Sequence, residues 1–94
     1  MAHQILYDYI PRPGDYFTTF RVLWEPYTNR VSLRFRSGRE AASGLVGTPE
    51  ETVRYLDIRA RAGAPWNSGA PREARERLVR LSDIARISSV SDQD

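Results

Sequence analysis

Two stretches of alternating residues, Tyr16–Glu25 and Arg30–Arg36, are separated by the short segment Pro26-Tyr27-Thr28-Asn29. In the first, the even positions Tyr16, Thr18, Phe20, Val22 and Trp24 are mostly large and apolar. Its odd positions, Phe17, Thr19, Arg21, Leu23 and Glu25, are mixed. In the second, Val31, Leu33 and Phe35 alternate with Arg30, Ser32, Arg34 and Arg36. A period of two marks a strand with one buried face. The loop length tests the pairing. If Glu25 faces Arg30, then Trp24 meets Val31, Val22 meets Leu33 and Phe20 meets Phe35, so every inward residue meets another. The same register sets Arg21 opposite Arg34 on the outer face, where like charges are unfavourable.

The remaining elements follow from punctuation. Ile5–Ile10 is an aromatic, β-prone run stopped by Pro11-Arg12-Pro13-Gly14-Asp15. Ser37-Gly38 is a turn signal, and Arg39–Val46 is a fourth strand or an irregular arm, weakened by Ala41, Ala42 and Gly44. Thr48-Pro49-Glu50-Glu51 opens a helix by capping, which should end near Ala62 with Gly63 as its C-terminal cap. Val53, Leu56 and Ala60 form its expected inner stripe, with Asp57 and Arg61 as an i,i+4 pair. A second helix is expected from Ala70 to Arg86. Ala74, Leu78, Leu81 and Ala85 face inward there, widened by Val79 and Ile84, with Glu73–Arg77 and Glu76–Arg80 on the wet side. Ser88–Asp94 reads as a polar tail behind a single domain over residues 1–87. Strands followed by helices indicate an α+β fold: a three- to four-stranded antiparallel sheet, then two C-terminal helices packed on one face, β-β-β-(β)-α-α.

A chain of 94 residues has room for one core, burying about 65% of the surface it exposes unfolded. It contains no cysteine, so disulfides, zinc fingers and thiol nucleophiles are excluded. The single histidine is His3, close to a terminus. Neither G-x-x-x-x-G-K-[ST] nor G-x-G-x-x-G occurs. Of the acids in the strand half, Glu25 is explained as the cross-strand partner of Arg30 and Asp15 as a turn residue. No catalytic residue set, cofactor or metal is assigned, and the chain is expected to work by binding. No apolar run reaches the length of a membrane span, and the N-terminal residues do not resemble a signal peptide, so no membrane partner and a cytoplasmic location are expected.

The 14 basic residues are all arginine, against 12 acids, for a net charge of +2. Arginine-only usage fits a GC-rich genome, and it also supplies planar forks for phosphate or carboxylate. Arg30, Arg34, Arg36 and Arg39 fall before the next acid, Glu40, and Arg21 joins them on the predicted outer face. That ribbon, with Tyr27 and Phe17 as stacking surface, is a candidate nucleic-acid site. The plainer reading is a solvated sheet face.

The leading reading is a small protein–protein interaction module. Its contact surface would comprise Phe17, Arg21, Leu23, Tyr27, Arg34 and Arg36, with Trp66 as a further aromatic anchor unless it folds back as a plug. Its partner would be another protein or protein complex. Size, arginine bias and the lack of catalytic residues fit a phage- or mobile-element-encoded inhibitor or regulator. A homodimer through the same face, or through the first strand as an open edge, is a third arrangement.

Overall fold

The hairpin forms in the register its loop length dictates. The computed structural model describes residues 4–37 and 40–92. In it β2 (Phe17–Glu25) and β3 (Arg30–Ser37) pair antiparallel, with Glu25 opposite Arg30, Trp24 opposite Val31, Val22 opposite Leu33 and Phe20 opposite Phe35. Asn29 closes the loop at φ 56°, a left-handed conformation that Asn tolerates better than most side chains. Its side-chain carbonyl accepts the Trp24 indole N–H at 2.9 Å.

β1 (Gln4–Asp8) flanks β2, and β4 (Glu40–Gly47) flanks β3, giving a four-stranded antiparallel sheet in the order β1-β2-β3-β4. The segment with poor strand propensity is therefore a strand: pairing with β3 from Ser37–Glu40 to Val31–Gly47 overrides what Ala and Gly disfavour locally. Two helices follow, α1 (Pro49–Arg61) and α2 (Gly69–Asp92), packed on one face of the sheet. Among the described residues no helix is long and apolar enough to cross a membrane.

α1 begins as its sequence predicts. The Thr48 hydroxyl accepts the Glu51 N–H at 3.2 Å, and Glu51 Oε1 accepts the Thr48 N–H at 3.2 Å, a reciprocal capping box with Pro49 in the first turn. It ends at Arg61 with Ala62 as its C-cap, followed by Gly63 at φ 106°, a value that favours glycine. The inner stripe is Pro49, Thr52 and Leu56, with Val53 half-buried, while the expected inner residue Ala60 is exposed. Thr52 is fully buried because its hydroxyl donates to the Thr48 carbonyl at 2.9 Å, so no polar group is orphaned.

In α2, Ala70, Ala74 and Leu78 enter the core. Leu81 and Val79 are half-buried, and the side chains of Ile84 and Ala85 lie outside those described. The helix continues to Asp92, through residues whose polarity suggested a tail. Two expected intrahelical pairs give way to longer-range partners. Asp57 takes Arg75 of α2 at 2.5 Å, and Glu73 accepts the Tyr7 hydroxyl at 2.6 Å.

The largest departure from simple alternation is Phe17. Phe17 faces Ser37 and Thr19 faces Arg36, so Thr18 is an extra residue in β2, a β-bulge. The inserted residue shifts the phase, turning Phe17 onto the face of Phe20. Phe17 is 2% exposed, whereas Tyr16 and Thr18, expected to face inward, are exposed. Phe17 packs edge-on against Phe20 at 5.2 Å, Trp66 at 5.4 Å and Phe35 at 5.9 Å between ring centroids. These rings cap the end of the core formed by Phe20, Val22, Val31 and Leu33 with Leu56, Ala74 and Leu78.

Candidate functional site

The helices cover one face of the sheet and leave the other open. Register assigns the side chains on that open face. One cross-strand row is Asp8, Arg21, Arg34 and Ser43, and the next is Thr19, Arg36 and Ala41. Arg21 therefore stands opposite Arg34, as the hairpin register required. The like charge is offset on the other flank, where Arg21 Nη2 reaches Asp8 Oδ2 at 3.0 Å. The Arg21 Nε–H is closed off without a hydrogen-bond partner. Arg34 and Arg36 are exposed, and among the described residues no carboxylate pairs with either.

The arginines expected to form one ribbon are divided among different surroundings. Arg30 sits at the hairpin end, in a hollow shared with Thr28, Gly47, Thr48 and Glu51. The Glu51 carboxyl there is held below the usual carboxylate range by the Thr48 backbone N–H and hydroxyl, with a smaller contribution from Arg30. Arg30 and Arg36 are six positions apart on β3, about 20 Å at strand rise. Arg39 lies outside the described residues. Among the described residues Arg30 makes no ion pair but lies near Glu51 at the far end of the strand, so the adjacent pair left on the open face is Arg34 and Arg36.

The apolar anchors expected on this face are not available there. Phe17 is in the core for the reason given above. Leu23 does point to the open face, opposite Ile5 and Ser32, yet it is only 9% exposed between its neighbouring strands. Trp66 is a plug. Its ring meets Phe35 at 5.2 Å, Phe17 at 5.4 Å and Tyr55 at 6.1 Å, and the Arg59 guanidinium covers it at 5.4 Å. Tyr27 is 90% exposed, but at the hairpin tip, a strand's length from Arg36.

Arg34 and Arg36 border a shallow hollow of about 510 Å³, continued by Thr19 and by Ala41, Ala42 and Ser43 of β4. Sequence reading left the role of those three residues open, because their small side chains carry no chemical signal. Their significance is positional: β4 is an edge, and the residues beside the two arginines are too short to cover them.

A second polar cluster joins β1 to its neighbours. The Tyr9 hydroxyl donates to Asp15 Oδ2, which also accepts the Arg12 N–H at 2.9 Å. Burial and the bond to Glu73 push the Tyr7 phenol above its ordinary pKa. The bond to Asp15 does the same for Tyr9, while the Asp15 carboxyl is lowered by that bond and by the Arg12 N–H. These bonds tie Tyr9, just past β1, to the turn and β1 itself to α2, and each is accounted for as architecture. Comparison with protein families, with curated proteins and with solved structures finds no match to this chain.

Proposed function

We propose that this chain is a non-enzymatic protein–protein interaction module that receives an acidic partner protein on its open sheet face. The observation that carries the reading is the exposed pair Arg34 and Arg36, on a face no helix covers and with no carboxylate partner among the described residues. Two adjacent guanidiniums repel each other and offer several donors with no internal acceptor, a state that a partner's carboxylates relieve. Such a module fits an inhibitor or regulator of a larger complex in the cytoplasm, of the kind phages and mobile elements encode.

Nucleic acid is the rival ligand for the same charges. It is less favoured because, of the two rings expected to stack on bases, Phe17 is engaged in the aromatic cluster and Tyr27, though exposed, sits at the hairpin tip, a strand's length from Arg36. The test is capture of partners from host lysate by tagged protein, with and without nuclease, followed by mass spectrometry. The expected result is a partner that survives nuclease and that Arg34→Ala with Arg36→Ala binds roughly two- to thirtyfold more weakly, as loss of two exposed ion pairs implies. Capture lost on nuclease, or unchanged by the double substitution, overturns the reading.

A further inference from the structure

We infer that the edge of β4 binds an extended segment of the partner as a fifth strand, with acidic residues at alternate positions of that segment. The inference rests on the reading above and specifies how the partner is held. The two outer strands differ as templates. β1 is interrupted by a bulge between Ile5 and Tyr7, and its side chains are tied to Arg21 and Glu73. β4 pairs regularly with β3 from Glu40 to Leu45, its register shift falling only at its far end before Gly47, and beyond Glu40 it contains no charged residue and no proline, the residues that commonly block edge pairing. Ala41, Ala42 and Ser43 are exposed.

The arginines supply the specificity. Arg36 lies directly opposite Ala41, and Arg34 directly opposite Ser43. A strand added to β4 would sit two strand spacings from β3, about 10 Å away. An arginine and a glutamate reaching toward each other over a small residue cover that distance. Because side chains alternate between faces, carboxylates two residues apart on the added strand would meet Arg36 and Arg34, while the residues between them turn to the side of Phe35 and Ala42. Main-chain bonds to the edge give affinity and the two charged pairs set register, the usual division in strand addition. A second copy of this chain is a poorer occupant. Antiparallel pairing of two β4 edges would bring both pairs of arginines together on one face.

The test uses the intact protein and a fluorescein-labelled peptide, Glu-Val-Glu-Val-Glu-Val-Glu, read by anisotropy. The control is the same composition in blocks, Glu-Glu-Glu-Glu-Val-Val-Val. The alternating peptide is expected to bind at least about tenfold more tightly than the block peptide. N-methylation of either all its glutamates or all its valines should abolish binding while the other set leaves it intact, since alternate N–H groups face opposite sides of a strand. Amide hydrogen exchange should slow in β4 and not in β1. Equal binding of both peptides, weakened alike by Arg34→Ala with Arg36→Ala, overturns strand addition and leaves the acidic-partner reading standing. No peptide binding at about 1 mM also overturns strand addition, and the acidic-partner reading falls with it if partner capture is indifferent to the arginines. Tighter binding of an oligothymidylate than of the alternating peptide overturns the inference in favour of nucleic acid.

Discussion

Replacement of Phe17 by Ala tests the least obvious feature of the fold. Strict alternation along Tyr16–Glu25 would set Phe17 in solvent, and its loss would then alter stability by no more than about 0.5 kcal/mol. The bulge at Thr18 instead seals it among Phe20, Phe35 and Trp66, at 2% exposure. Truncating a buried Phe to Ala costs about 3–5 kcal/mol in transfer and cavity terms. A domain of 94 residues is expected to have about 5–14 kcal/mol in all. Phe17→Ala should therefore remove a large share of the stability and lower the melting temperature by at least about 12 °C. Urea unfolding followed by circular dichroism and by tryptophan fluorescence measures this, with the Trp66 ring 5.4 Å from Phe17 as a local reporter. Tyr16→Ala is the matched control: Tyr16 is 53% exposed and should lose less than about 1 kcal/mol. If Phe17→Ala loses less than about 1 kcal/mol and Tyr16→Ala loses more, the bulge is wrong and Phe17 returns to the open face as a binding residue.

Thr48→Ala should destabilise the domain by about 1 kcal/mol by removing one half of the capping box, and Thr48→Ser should restore most of it in the same urea assay. Tyr7→Phe should change the alkaline limb of the stability profile. The folded state holds the Tyr7 proton more tightly than the unfolded chain does, so this contribution is intact below about pH 10 and is lost as pH rises beyond it. Urea midpoints for Tyr7→Phe should therefore fall less steeply than those of the parent above that pH. Arg34→Gln with Arg36→Gln should leave stability within about 0.5 kcal/mol of the parent, because neither side chain has a structural carboxylate partner among the described residues. A loss above about 1 kcal/mol would instead make their stems structural cover for the sheet.

The hairpin was readable because two independent constraints coincide. A fixed loop length and two apolar alternations allow one register, and Trp24–Val31, Val22–Leu33 and Phe20–Phe35 all form as that register requires. The start of α1 was equally readable, since Thr48, Pro49 and Glu51 act on backbone groups within one turn. Phe17 was not, because a bulge shifts the side-chain phase and Tyr-Phe-Thr-Thr-Phe offers no local mark of where the extra residue falls. Thr52 escaped a search for apolar stripes because its hydroxyl is satisfied within its own helix. Tyr7–Glu73, spanning 66 positions, depends on β1 and α2 meeting in three dimensions, and no local pattern encodes that.

The candidate site changed character once the phase was known. An arginine ribbon with aromatic neighbours invited a protein partner first and nucleic acid as the alternative. The fold separates those ingredients: Phe17 goes to the core, Trp66 packs against it, Tyr27 stays at the hairpin tip, Arg21 goes to Asp8, and Arg30 goes to the hollow beside Glu51. Arg34 and Arg36 are left beside a β4 edge of small residues. Each assignment removes a structural reason for those two charges to be there. Arg34 stands opposite Arg21, whose charge Asp8 offsets, and Arg36 stands opposite Thr19, so neither has a carboxylate across the β2–β3 ladder. A partner that supplies two carboxylates and an extended backbone would satisfy both the charges and the open edge at once, and this coincidence separates the β4 side of the sheet from β1, whose charged and phenolic groups are already engaged.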